Sequence, residues 1–304
     1  MLNLLVFTLM YAALASAWNL FSGYCGSISL GQVAFFGVGA YALAVTAEHS
    51  GIGSGYRPFW LLPLVGIGVA LASLPIGWIA LRTRAITFAI VTLTLLFIVQ
   101  QLAFNLRGLT HGSQGISFAP PPFALARYEW PFYYAMLAVL ALSVLIAYLL
   151  RRSKLGLLLF AVRDDDEKAR GVGVRVTGVK LAAFAASAGL TAMAGGIWGY
   201  YIAYVYPEYA VDPLVQIGSV LMVYLGGKGT LWGPVLGAFV LVPAQQYLAY
   251  RLGASEYYLV GYAAVFVAIM LLLPRGILPS LAAAADRVRF RGAQLEPSPG
   301  EQPT

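Results

Sequence analysis

Long apolar runs alternate with short polar segments along most of this chain. Most of the runs are about 17–25 residues long, the length at which an α-helix crosses a bilayer. Backbone groups in lipid must be hydrogen-bonded within their own segment, which favours helices. The pattern predicts an all-α, polytopic transmembrane fold with about nine spans, some of them broken or re-entrant. We expect the spans at residues 1–20, 27–47, 59–81, 85–104, 131–150, 181–204, 214–225, 231–250 and 257–273.

Small and polar residues interrupt the second and seventh predicted spans. Three glycines and a glutamine lie within span 27–47, and the short run 214–225 is followed by the sequence GGKGT. Glycine lets two membrane helices approach closely, whereas broken helices often border a solute path. The sequence leaves both interpretations open. Under the second, the candidate path residues are Gly31, Gln32, Gly37, Gly39, Thr92, Gly226 and Gly227.

Composition supports a membrane protein and gives it a direction. Of 304 residues, 60% are hydrophobic and 10% charged, against an apolar share of about 45–50% in soluble domains. The net charge of +7 would suit a nucleic-acid partner, but the cations lie at span ends, where they orient a protein in lipid. Counted over nine spans, fifteen of the 19 Lys and Arg residues fall on one side. The other four are Arg57, Arg107, Arg127 and Arg251.

This bias predicts an N-terminus outside the cell, a cytoplasmic C-terminus and contact with lipid but not with nucleic acid. The change from apolar to polar composition near residue 274 divides the chain into two parts. Residues 1–274 form a transmembrane domain with a cytoplasmic loop at 151–180. Residues 275–304 form a polar cytoplasmic tail that we expect to be disordered at its end.

Residues that carry chemistry are absent from the middle of the predicted spans. No Asp, Glu, Lys or Arg lies there, and the chain has no HExxH motif or other catalytic cluster. Carriers driven by protons or sodium commonly hold an ionisable group near the middle of the membrane. We therefore expect a non-enzymatic protein with no metal or cofactor of its own, whose energy comes from another chain.

The charged segment 151–180 is the exception to the apolar pattern, because twelve of its thirty residues are charged. Aspartates favour a helix start, the residues after them are good helix formers, and two glycines supply a stop. The pattern predicts a short surface helix that docks a soluble partner. A solvated loop of orienting cations is the alternative. The candidate docking residues are Arg163, Asp164, Asp165, Glu167, Lys168, Arg170, Gly171 and Gly173.

Four stretches in order carry a resemblance to a known family. They read NLFSGYCGSISLGQVAFFGVGAYA, then ITFAIVTLTLLFIVQQLAFN with LTHGSQGI, then GLLLFAVRDDDEKARGVGVRVTGVKLAAFAASAGLTAMAGGIWGYY, and finally GGKGTLWGPVLGAF. The chain resembles the permease subunits of branched-chain amino acid ABC importers, specifically the M-type member of the H/M permease pair. The resemblance covers about residues 14–274.

The resemblance implies a set of partners and a location. The partners are a second, H-type permease, two ATP-binding subunits and a periplasmic or extracellular solute-binding protein, and the location is the bacterial inner membrane. In this family the charged segment seats in the ATPase, and Arg163, Asp164, Gly171 and Gly173 match its pattern. The sequence DDEK at 165–168 departs from the usual Asn-Glu-x-Ala. ATP would be used by the partner subunits, since no GxxxxGK[ST] motif occurs here.

The implied cargo is a branched-chain or related hydrophobic amino acid. No motif separates that cargo from amides, urea or aromatic acids. Two other functions remain compatible with the residues alone. One is a stand-alone secondary transporter or channel, in which the charged segment is a linker, and the other is a structural membrane subunit.

Overall fold

A computed structural model of the chain describes residues 2–50, 54–119, 123, 127–252, 263–264, 267 and 276–281. These residues are helical apart from their connections and one pair of two-residue strands, which confirms the all-α prediction. The helices are Leu2–Trp18 (α1), Gln32–Ser50 (α2), Arg57–Ala80 (α3), Ala85–Asn105 (α4), Arg107–Thr110 (α5), Glu129–Arg152 (α6), Lys154–Asp164 (α7), Asp166–Gly171 (α8), Val176–Ile202 (α9), Pro207–Ala210 (α10), Pro213–Gly226 (α11) and Gly233–Leu252 (α12).

Short irregular elements complete the described part. A π-helical turn, Asn19–Gly23, continues α1, and a 3₁₀ turn covers Gly112–Gln114. Strands Ile116–Ser117 (β1) and Tyr204–Val205 (β2) pair antiparallel, with Ile116 opposite Val205.

Six helical stretches of the described residues are long and apolar enough to cross a membrane, which confirms a polytopic helical protein. They are Leu2–Gly23, Arg57–Ala80, Ile86–Asn105, Glu129–Arg152, Val176–Ile202 and Pro207–Gly226. Two further predicted spans correspond to the 19-residue α2 and the 20-residue α12. Most of the ninth, 257–273, lies outside the described residues, as does most of the tail 275–304, so the count of nine stays a prediction.

The spans differ in how much protein surrounds them. In the most apolar windows of α1 and α9, 78% and 72% of residues are buried, against 28% in α3 and 22% in α4. Helix α2 contacts α9 along its length and is also mostly buried. The molecule therefore has a central layer of α1, α2 and α9, flanked by helices whose outer faces are apolar and exposed.

Helices α2 and α9 pack backbone against backbone. A Cβ atom added to Gly39 would overlap the carbonyl oxygen of Ala192, and one added to Gly195 would overlap that of Phe36. Glycine at such positions removes the side chain that would hold the helices apart. The predicted close-contact role of the GxxxG pattern at 195–199 is confirmed.

The two ends of the bundle carry different connections. At the Arg163 end, Arg163 lies beside Gly26 and Gly229, which belong to the α1–α2 and α11–α12 connections. At the Tyr204 end, β1 and β2 pair, and the Tyr200 hydroxyl donates to the carbonyl of Gly55, 2.9 Å away. Each end thus collects segments that the nine-span pattern assigns to the same side of the membrane.

Candidate functional site

The charged segment contains the predicted short helix, α8, and a second helix, α7, before it. The hydroxyl of Ser153 accepts a hydrogen bond from the Gly156 amide at 3.2 Å and starts α7, which the sequence pattern did not predict. Asp165 then starts α8, its Oδ1 accepting from the amides of Glu167 and Lys168 at 3.0 Å each. The predicted aspartate cap of a short helix is confirmed at Asp165.

The cap is electrostatically favourable. The hydrogen bond from the Lys168 backbone amide lowers the pKa of the Asp165 carboxyl, and the hydrogen bond from the Lys168 side chain adds to this. The Lys168 ammonium lies 3.1 Å from Asp165 Oδ2. The carboxylate is thus held in its charged form at the positive end of α8.

Helix α8 is fastened to the start of α9. The Lys180 ammonium donates to Asp166 Oδ2 at 2.7 Å, and only 10% of the Lys180 side chain is exposed. Val162, Ala169 and Val176 form a small apolar cluster beside this ion pair. One strong polar contact and three small side chains therefore set the position of α8.

The remaining surface of α7 and α8 is open to solvent and charged. Val172 is 82% exposed, and a Cβ atom on Gly171 or Gly173 would meet nothing within 4 Å. Gly173 has φ of +87°, a conformation that glycine adopts without steric cost. The other exposed docking candidates on this surface are Arg163, Asp164, Glu167, Lys168 and Arg170, with Asp165 half-buried at the cap.

Arg163 extends from α7 to the connections between membrane helices. A Cβ atom on Gly26 would lie 3.0 Å from Arg163 Cγ, and one on Gly229 would lie 3.2 Å from Arg163 Nη1. The Arg163 guanidinium also lies over the Phe160 ring, 5.1 Å from its centre. This single side chain touches the surface segment and both non-helical connections.

Asn19 joins the same two connections and was missed by the sequence analysis. Its Nδ2 donates to the carbonyl of Thr230 at 2.8 Å, and its Oδ1 accepts from the Gly229 amide at 2.8 Å. Asn19 lies in the π-helical turn and is 2% exposed. The signal available in the sequence was one amide residue at the end of an otherwise apolar run.

The start of α2 lies five residues later than predicted. Residues 27–31 are not helical, because side chains from other elements satisfy their backbone. Thr92 Oγ1 accepts from the Leu30 amide at 3.0 Å, and Ser22 Oγ accepts from the Ser29 amide at 3.1 Å.

The first turn of α2 is held in the same way. The Val33 amide donates to Gln216 Oε1 at 3.0 Å, and Gln32 Nε2 donates to the hydroxyls of Ser187 and Thr191 at 2.6 and 2.8 Å. Ser187 and Thr191 belong to α9, and Gln216 belongs to α11. The start of α2 is therefore a junction of several helices.

The seven candidate path residues are all buried inside the subunit. The structure brings Gly31, Gln32 and Thr92 together at the start of α2. Gly37 packs on Val211 and Gly39 on Ala192, whereas Gly226 packs on Gly233 at the Arg163 end and Gly227 beside it has φ of +121°. Within this subunit the glycines serve close backbone contact.

Comparison with known proteins identifies a family and relatives for this chain. Residues 1–273 match the family model described as branched-chain amino acid transport system / permease component. The chain is 30% identical to the high-affinity branched-chain amino acid permease protein LivM of Salmonella typhimurium and 29% identical to that of Escherichia coli. Each match covers 90% of this chain and 68% of the relative.

A more distant relative is the LivH permease protein of Escherichia coli, 23% identical over 88% of this chain and 91% of its own length. No solved structure matches the chain. The family model covers nearly all of the chain, and the LivM relatives match along most of its length. Both agree with the polytopic helical bundle. The chain belongs to the permease components of branched-chain amino acid ABC transport systems, as a LivM-like, non-catalytic membrane subunit.

Proposed function

We propose that this subunit pairs with a LivH-like permease and two ATP-binding subunits, and that α7 and α8 are the element on which an ATPase docks. The observation that carries the proposal is the exposed, charged α8, capped by Asp165 and fixed to α9 through Lys180. A solvated linker needs neither a cap nor a partly buried ion pair, whereas a docking element needs a fixed shape.

The connections support transmission from α8 into the membrane. A push on α8 reaches α9 through the Asp166–Lys180 pair, and α9 packs directly against the backbone of α2 at Gly39 and Gly195. Arg163 gives a second route to the Gly26 and Gly229 connections. We infer that ATP-driven closure of the ATPases moves these elements together and alternates access to a path shared with the second permease.

The distribution of charge supports an orientation. Fifteen of 19 cations belong to segments assigned to the Arg163 side, which favours a cytoplasmic position for that end in a bacterial inner membrane. The Tyr204 end then faces outward and would receive a solute-binding protein. The cargo we propose is a branched-chain or related hydrophobic amino acid, in line with the names of the LivM relatives. In this scheme Gly31, Gln32, Gly37, Gly39, Thr92, Gly226 and Gly227 frame the path by positioning α2 and α11.

Co-purification of the chain with tagged candidate ATPases tests the docking surface. The variant Glu167→Lys with Arg170→Glu reverses two exposed charges on α8 and keeps the Asp165 cap, the Lys180 pair and the net charge. We expect it to retain the second permease and to lose the ATPases.

The matched control is Arg57→Glu with Glu129→Arg, a charge reversal at the Tyr204 end that should leave ATPase binding unchanged. Gel filtration and circular dichroism confirm that each variant is folded. ATPases that stay bound to the α8 variant, or that never bind the wild type, would overturn the docking proposal.

A further inference from the structure

One of the six candidate spans is broken at an acidic residue. The stretch Pro207–Gly226 consists of α10, which ends at Ala210, and α11, which begins at Pro213. The hydropathy pattern begins this span at residue 214 and leaves Asp212 in a loop. The structure corrects that assignment, because α10 extends the span backwards, so that Asp212 lies within it.

The neighbours of the break place it inside the bundle, away from the outer end of α2. Val211 packs on Gly37, and its carbonyl accepts from Gln100 Nε2 at 3.4 Å. At 1.5 Å per residue, about 20 Å of α2 separate Gly37 from Ser50, the last residue of α2. Gly39, next along this face, packs on Ala192 in the middle of α9.

The Asp212 carboxylate uses only part of its capacity to accept hydrogen bonds. Its Oδ1 accepts from the Leu214 amide at 2.8 Å and caps α11, and the residue is half-buried. Within the part of the chain that the structure describes, no Lys, Arg or His forms an ion pair with Asp212. The carboxylate therefore has capacity left for a cationic group.

The surface around Asp212 is apolar and outward-facing. Tyr209 is 66% exposed, Leu214 51% and Ile217 49%. A carboxylate at this depth is costly against lipid, and such residues face a bundle interior or a water-filled cavity and mark solute paths. The cost of burying a carboxylate in lipid therefore argues that the exposed face of α10 and α11 borders a water-filled cavity.

We propose that Asp212 binds the ammonium group of the transported amino acid, and that Leu214, Ile217 and Tyr209 contact its aliphatic side chain. The proposal rests on the proposed import function and names the recognition element within it. A zwitterionic, aliphatic solute presents a cation beside an apolar group, and this face presents a carboxylate beside apolar residues. A permanent ion pair with the second permease is the competing use of the carboxylate.

The test uses the complete complex of permeases and ATPases in lipid nanodiscs, with three small probes. L-leucine carries both charges, 3-methylbutylamine keeps only the ammonium, and 4-methylpentanoate keeps only the carboxylate. Binding is measured by saturation-transfer NMR. The wild type should bind leucine and the amine, and the acid at least about tenfold more weakly, as expected for loss of a hydrogen-bonded charge.

The variant Asp212→Asn removes the charge and still caps α11, since Asn is as good an N-cap as Asp. It should weaken leucine and amine binding by about tenfold. The variant Asp212→Glu keeps a carboxylate and should bind both probes more tightly than Asp212→Asn. The control Glu208→Gln removes the other acid of this span, one turn nearer the Tyr204 end, and should change binding less than about twofold, within the range of an exposed charge.

Three results would overturn the proposal: no binding of leucine or the amine by the wild type, equal binding of the acid, or unchanged binding by Asp212→Asn. Loss of the second permease from Asp212→Asn would assign the carboxylate to an intersubunit ion pair instead. Because ATPase co-purification is independent of these probes, failure here is distinguishable from failure of the docking proposal.

Discussion

Helix α9 is held in two contrasting ways along its length. In its central part it contacts α2 through glycine and carbonyl groups, with no room for a Cβ atom at Gly39 or Gly195. At its start it holds α8 through one ion pair and a few small side chains. The first contact fixes two helices as one body, whereas the second positions a surface element that remains open to a partner. A transporter driven by a soluble partner needs both. The surface element must bind the partner, and the rigid helix pair must carry the resulting movement through the membrane.

Overpacking the α2–α9 contact should give the largest effect. In Gly39→Leu the new side chain would overlap the Ala192 backbone. The overlap can be removed only if α2 and α9 move apart. We expect a loss of about 3 kcal/mol or more and little folded protein in detergent, measured by size-exclusion chromatography after heating. Gly68→Leu is the control, since a Cβ atom there meets nothing within 4 Å. Equal melting of the two variants would contradict close packing.

Removing the buried amine at the start of α9 should have an intermediate effect. Lys180→Met leaves Asp166 without its partner and should destabilise the attachment of α8 by about 2 kcal/mol, as expected for a hydrogen bond between charged groups. Hydrogen exchange of amides 166–172 should accelerate while α2 stays protected. Lys154→Met, at an exposed lysine on α7, is the control. Unchanged exchange in Lys180→Met would mean that the ion pair does not hold α8.

Removing the α8 cap should give the smallest effect. Asp165→Ala loses two hydrogen bonds to backbone amides and should raise local exchange in α8 about fivefold, whereas Asp165→Asn keeps the acceptor oxygen, loses only the charge and should raise it less.

Acid should weaken the cap as Asp165→Asn does, because the pKa of Asp165 is lowered in the folded protein and protonation removes the charge but keeps an acceptor oxygen. The contribution of the carboxylate is fully present above the ordinary Asp pKa of about 4. It is lost as pH falls from there through the lowered pKa. Protection of α8 that does not change over that range would argue against a charged cap.

The sequence predicted what depends on local pattern. Apolar runs located eight helices of the described part, six of them in stretches long and apolar enough to cross a membrane. The order of aspartates, helix formers and glycines located α8. Helix α7 was missed, because its start depends on a single Ser153 cap within a segment interpreted as loop.

What the sequence did not predict depends on distant residues. The non-helical 27–31 stretch is stabilised by Ser22 and Thr92, which lie on other elements. The depth of Asp212 depends on α10, four residues that hydropathy did not join to α11. The junction at Asn19 depends on residues more than 200 positions away.

The distance between Asn19 and its partners has a consequence for biosynthesis. Asn19 bonds groups 210 and 211 residues further along the chain. At a synthesis rate of about 5–20 residues per second, the ribosome takes on the order of 10 to 40 s to make that stretch. During this interval α1 is already in the membrane with its amide lacking both partners. The contacts of Asn19 are therefore completed only when the α11–α12 connection has been made, and a chain arrested before residue 229 lacks both of them.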